Sequence, residues 1–246
     1  MSEPGNPELW CVDLSAAGPA LLAVEARTPR LSDPELLRAE ALSSPAARQE
    51  WLAAHIALRI LIERTCGADW RRIAFQHEER GKPALAGAPV TFSLAHTPGL
   101  ALIGLARQGA IGVDIERMRS VRIDASRRDR IREAGATLSS AQLPPDDAGF
   151  LQAWVRLEAL AKAEGCGIGR LLTRLGILGA GARAAADAAA MRDRAASLLA
   201  ESPVETVHDL QLGASVYAAV ACTGVPPRLA VSWLPTDAAA LEKPID

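Results

Sequence analysis

The sequence predicts an α/β or α+β fold. Short strand-sized apolar runs are interleaved with longer runs at helical spacing, and this interleaving recurs in both halves of the chain. With 246 residues and 49% hydrophobic content, the chain has enough apolar surface for a substantial core in one large or two small domains. No apolar run approaches the roughly 20 residues that a bilayer crossing requires; Gly99–Ala106 is among the longest. Met1–Pro7 is polar and lacks a charged-then-apolar leader pattern, so a cytoplasmic protein is expected.

The elements follow in order. Glu8–Leu14 alternates Trp10, Val12 and Leu14 and reads as a strand. Ser32-Asp33-Pro34-Glu35 has a capping residue, a proline and an acid, which together mark a helix start. From Pro45 to about Cys66, Trp51, Leu52, Ile56, Leu58, Ile60, Leu61 and Ile62 keep close to helical spacing, so a long helix packed on a sheet is predicted. Val90–His96, Leu100–Ala106 and Ile111–Glu116 read as strands, with a hairpin turn at Gln108-Gly109 between the last two. Arg117–Glu133 is arginine-rich and helical in its later part. Pro144–Asp147 is a loop, and Phe150–Glu164 is a helix stopped by Gly165-Cys166-Gly167-Ile168-Gly169. Leu178–Ala200 is dominated by alanine and arginine and reads as a surface helix or a partly mobile insertion. Val204–Leu212 and Ala214–Cys222 form a hairpin turning at Gly213, and Leu229–Leu234 is a last strand. There is no internal repeat.

Charge and cysteine usage narrow the function classes. A net charge of −2 does not point to a nucleic-acid binder. Cys11, Cys66, Cys166 and Cys222 are widely spaced with no CxxC pair, which argues against a zinc site or a disulfide framework.

Four local patterns carry chemistry. In Gly112-Val113-Asp114-Ile115-Glu116, strand alternation places Asp114 and Glu116 on one face. Adjacent carboxylates repel unless a positive charge intervenes, and a hard divalent cation such as magnesium suits oxygen ligands. Alone, the pattern is more often an ordinary strand with a solvated face, because alternating acids are common. In Trp154-Val155-Arg156-Leu157-Glu158-Ala159-Leu160-Ala161-Lys162, Glu158 and Lys162 share a helix face, which alone is a surface ion pair. Phe92-Ser93-Leu94-Ala95-His96-Thr97 ends an apolar strand in a histidine, and Gly81-Lys82-Pro83 holds a lysine in a turn.

Their order carries more than any one of them. Gly-Lys-Pro, Phe-x-Leu-x-His, Gly-Val-Asp-Ile-Glu and Trp-x-x-x-Glu-Ala-x-x-Lys-Ala-x-Gly-x-Gly resembles the ordered signature of Sfp-type 4′-phosphopantetheinyl transferases. The likeness runs from about Lys82 to Gly169, and more weakly upstream through Glu50–Arg59.

The resemblance implies two similar α/β subdomains, 1–110 and 111–246, forming a pseudo-dimer within a monomer, with coenzyme A and magnesium between them. It implies magnesium ligands at Asp114, Glu116 and Glu158. Lys162 and His96 would contact the pyrophosphate, Lys82 the 3′-phosphate, and Arg59 the nucleotide end of coenzyme A. Glu158, Lys162 and His96 would be catalytic, with Glu158 accepting the proton of the attacking serine. The partner would be an apo acyl or peptidyl carrier protein of fatty-acid, polyketide, nonribosomal-peptide or lysine metabolism, or of another secondary pathway. The arginines from Arg117 to Arg132, above all Arg119–Arg132, form a basic patch for acidic carriers.

The chain also departs from the family pattern. Leu157 stands where a lysine is common. Ser93, Ala95 and Thr97 replace the family's residues around His96, and Glu50 and His55 occupy positions often basic. These changes fall on the coenzyme A shell and spare the three acids. The alternatives are a degenerate relative that binds carrier or coenzyme A without efficient transfer, another magnesium-dependent phosphoesterase or transferase, and a carrier-binding scaffold.

Overall fold

The computed structural model describes residues 6–77, 81–139, 142–179, 188–224 and 229–243. These fall into two compact units, one from 6–77, 83–108 and 229–243, the other from 81–82, 109–139, 142–179 and 188–224.

The first unit opens with β1 (Glu8–Asp13). Its last residue caps α1 (Leu14–Arg27), the Asp13 carboxylate accepting the Ser15 and Ala16 N–H groups at 3.0 and 2.9 Å. The strand expected over Glu8–Leu14 ends one residue earlier, and the sequence reading assigns no element to 15–31, where Gly18-Pro19 is a local break signal. Burial of Leu14, Ala17, Leu21 and Val24 overrides that local signal. α2 (Asp33–Glu40) starts as predicted, with the Ser32 N–H and hydroxyl both donating to Glu35 at 2.9 and 2.6 Å. α3 (Pro45–Cys66) is the predicted long helix, ending where Gly67 takes φ +101°.

β2 (Gln76–His77) pairs with β3 (Pro83–Ala84), and β4 (Thr91–Thr97) with β5 (Leu100–Ala106) across a two-residue turn. The main sheet runs β4-β5-β1 and on to an edge strand from near the far end of the chain, and it packs on a core that includes Val12, Leu21, Ile56, Phe92 and Ile103. Here β9 (Val231–Trp233) lies parallel to β1, Leu9 opposite Val231, and α8 (Ala238–Glu242) follows. The sequence division at 110/111 had placed this segment in the second half. Its partner strand lies more than 200 positions away, which local pattern does not reveal.

In the second unit, β6 (Ile111–Arg117), β8 (Val216–Cys222) and β7 (Thr206–Leu210) form an antiparallel sheet in the order β6-β8-β7. α4 (Ala125–Thr137) is capped by Asp124, and α5 (Asp147–Glu164) by Asp146; Gly165 ends α5 in the left-handed region at φ +67°. α6 (Ile168–Arg174) and α7 (Ala188–Ala200) follow. α7 is the described part of the alanine-rich segment, and it buries Met191, Ala195 and Leu198 in the unit's core; residues 180–187 lie outside the described residues.

The hairpin expected at Gln108-Gly109 is not formed. Gly109 does turn, at φ +76°, but β5 pairs with β1 and β4 while β6 pairs with β8 in a separate sheet. A turn signal specifies a local reversal and leaves the pairing partners open. Both units combine helices with a sheet, in keeping with the α+β class. Among the described residues no helix is long and apolar enough to cross a membrane.

Candidate active site

β6 sets Asp114 and Glu116 two residues apart on the face that α5 covers, opposite Ala219 and Tyr217 of β8. Val113 and Ile115 are buried on the other face. One turn of α5 separates Glu158 from Lys162. The Lys162 Nζ donates to Asp114 Oδ1 at 2.7 Å, with the lysine side chain 31% and the aspartate 10% exposed. Glu116 is held from the strand end by Arg119, Nη2 to Oε1 at 3.1 Å.

Two of these acids are electrostatically unsettled. Burial pushes the Asp114 carboxyl above its ordinary range; the Lys162 charge and hydrogen bond oppose this, and Glu116 adds to it. Glu158 is raised too, first by burial, then by the Asp114 charge; Lys162 relieves it in part, and Glu116 raises it further. Three acids thus act on one another around a single ammonium, a donor set short of positive charge. Its chemistry fits a hard divalent cation. Among the described residues, no three such side chains already stand at metal-holding separation. Lys162 takes the Asp114 oxygen instead.

The other predicted residues are placed as follows. Lys82 donates to the Ile111 carbonyl at 3.0 Å, at the start of β6. His96 is exposed near the end of β4 in the first unit. Arg59 also belongs to the first unit and is only 2% exposed. Its guanidinium is committed to Glu35 (2.5 Å) and Ser32 (3.4 Å) and lies 3.8 Å over the Phe75 ring. A guanidinium so engaged forms a buried ion pair within the first unit.

The departures from the family pattern have structural partners. The Glu50 carboxylate accepts the Gly99 N–H at 3.0 Å, bracing the turn after β4. His55 stacks on Trp51 with centroids 3.6 Å apart and meets Glu35 at 3.3 Å. Leu157 is 1% exposed within the second core. Sequence reading missed Arg156, which is fully buried; it grips Asp209 at 2.7 and 2.6 Å and donates to the Gly135 carbonyl at 3.0 Å. Its one signal was a cation among apolar neighbours on a helix face.

No family model matches the chain. A Synechocystis sp. protein assigned by name to the 4′-phosphopantetheinyl transferases is 32% identical over 143 residues, 56% of this chain and 58% of that protein. The 4′-phosphopantetheinyl transferase HetI of Nostoc sp. is 31% identical over 147 residues, 57% of this chain and 62% of its own length. The likeness is to 4′-phosphopantetheinyl transferases. The ordered motifs and both curated relatives point to that one family, although the chain spans only about three fifths of those relatives' length.

Proposed function

We propose that this chain transfers the 4′-phosphopantetheine of coenzyme A to a serine hydroxyl of an apo acyl or peptidyl carrier protein. The observation that carries this reading is the gathering of Asp114, Glu116, Glu158 and Lys162 in one unit, from motifs that resemble this family's. The two units are read as the family's two α/β halves.

In this reading Asp114, Glu116 and Glu158 hold magnesium. When bound, the ion supplies positive charge to the diphosphate oxygens as charge builds on them. Lys162 then has two anions to serve, Asp114 at rest and the pyrophosphate when coenzyme A is present; His96 is a second pyrophosphate contact and Lys82 the 3′-phosphate contact. The carrier serine oxygen bonds to the β-phosphorus, the bond to the bridging oxygen breaks, and 3′,5′-adenosine bisphosphate leaves. Glu158 takes the serine proton directly or through one water.

The carrier docks on the arginine stretch after β6. Arg119, Arg128 and Arg132 pair with Glu116, Asp147 and Asp129, while Arg122 and Arg127 are exposed, as are Met118 and Ile123 in the same stretch, at 46% and 37%. Exposed cations flanking apolar side chains suit an acidic partner with an apolar contact.

The test is to incubate the protein with several apo-carriers, coenzyme A and magnesium and weigh the carriers intact. A phosphopantetheine adduct on at least one is expected. Phosphate release without a carrier would favour a phosphoesterase, and no adduct on any carrier would overturn the reading.

A further inference from the structure

The helix that supplies Glu158 and Lys162 rests on β6 with no side chain between them at Gly112. A Cβ placed there would stand 2.0 Å from the Ala159 carbonyl oxygen and 2.4 Å from the Ala163 nitrogen. Both are helix backbone, which cannot swing aside as a flexible side-chain end does. Ala159 and Ala163 are themselves buried and small. Gly112 shares its strand face with Asp114, and the two alanines directly follow Glu158 and Lys162 in the chain. The 2.7 Å bond from Lys162 to Asp114 is therefore made at a strand–helix separation that only glycine permits.

We propose that Gly112 is a positioning residue of the site: its missing side chain sets how closely α5 approaches β6, and so brings Lys162 and Glu158 to Asp114. With alanine at 112 the helix must retreat by on the order of 1 Å to reach ordinary van der Waals contact, enough to take the Lys162–Asp114 bond out of hydrogen-bonding range. The effect on transfer rests on the proposed reaction; the geometric claim does not. A second glycine provides the control. A Cβ on Gly135 of α4 would meet Ala153 Cα and Cβ at 2.6 Å, so it crowds the same helix nearer its N-terminal end.

The test is the rate at which an amine-acylating reagent labels Lys162, read by peptide mass spectrometry without coenzyme A or carrier. Asp114→Ala, which removes the acceptor, sets the rate for the unpaired amine. Gly112→Ala is expected to label several-fold faster than wild type, near the Asp114→Ala rate. Gly135→Ala is expected to stay at the wild-type rate even where its thermal midpoint falls as far. Wild-type labelling in Gly112→Ala, or an equal rise in Gly135→Ala, would overturn the proposal. If Gly112→Ala does not fold, amide exchange in the wild type decides: the Ala159–Ala163 turn should exchange more slowly than the Phe150 end of α5, and equal rates would refute it. A wild-type chain that loads no carrier yet shows the labelling pattern defeats the proposed reaction and leaves the positioning claim standing. Loading without the pattern does the reverse.

Discussion

Glu35 is a buried carboxylate that the fold keeps charged. Burial alone would raise it, but hydrogen bonds from His55 and Arg59, the Arg59 charge and a hydrogen bond from Ser32 prevail, holding it at about 2 against an ordinary 4.5. A carboxyl lowered on folding stabilises above its unfolded value, and that stability is lost as pH falls from 4.5 through about 2. Its size at neutral pH is about 3 kcal/mol. Urea midpoints of wild type and Glu35→Gln should therefore differ most above pH 4.5 and converge below it; a constant gap down to pH 2 would contradict this. Glu158 has the opposite character. Burial, and then repulsion by Asp114 and Glu116, make its charge unfavourable in the metal-free protein, so Glu158→Gln should raise the thermal midpoint without magnesium. The same change should lower carrier loading roughly a thousandfold or more, since it removes the proposed metal-binding carboxylate and the proposed proton acceptor together. A lowered midpoint, or loading unchanged, would count against the site.

α5 is the element on which the account turns, and it is anchored by polar as well as apolar groups. Arg156 is fully buried and forks onto Asp209, which also accepts from Gln152 at 2.7 Å. Arg156→Ala leaves that carboxylate without its cation, and a cost of about 3–5 kcal/mol in chemical unfolding is expected. Leu157→Lys restores the residue common in the family, yet position 157 is 1% exposed here. It should lower the thermal midpoint without raising activity; a gain in loading would show that the core admits the lysine. Much of this helix was legible beforehand, because Glu158 and Lys162 stand four apart and the glycine run after 164 ends the periodicity. The strand-face sharing of Asp114 and Glu116 was legible from its period of two. The contact at Gly112 was not, since a sequence shows a missing side chain but not the backbone it admits. Nor was α1, where a Gly18-Pro19 pair masked a helix held by core burial. The Arg59–Glu35 ion pair was not legible either, because its partners lie 24 positions apart on different helices.

At the scale of the whole molecule, the first unit is discontinuous in sequence. Its edge strand β9 comes from the far end of the chain, so local pattern assigned that segment to the wrong half. The three acids, Lys162 and the arginine stretch instead lie within one unit, although the Phe92–His96 motif belongs to the first. Partner recognition belongs to this scale. Charge reversal at Arg122 and Arg127, both exposed, should raise KM for the carrier and leave KM for coenzyme A unchanged, with the difference shrinking at high salt. Equal effects on both substrates would remove the arginine stretch from carrier docking. The central claim is that Asp114, Glu116 and Glu158 make one cation site beside a diphosphate. It is tested most directly by calorimetric titration of coenzyme A into the wild type and Glu158→Gln, with and without magnesium. The account predicts binding that magnesium strengthens in the wild type and not in the variant; binding indifferent to both the metal and Glu158 would contradict it.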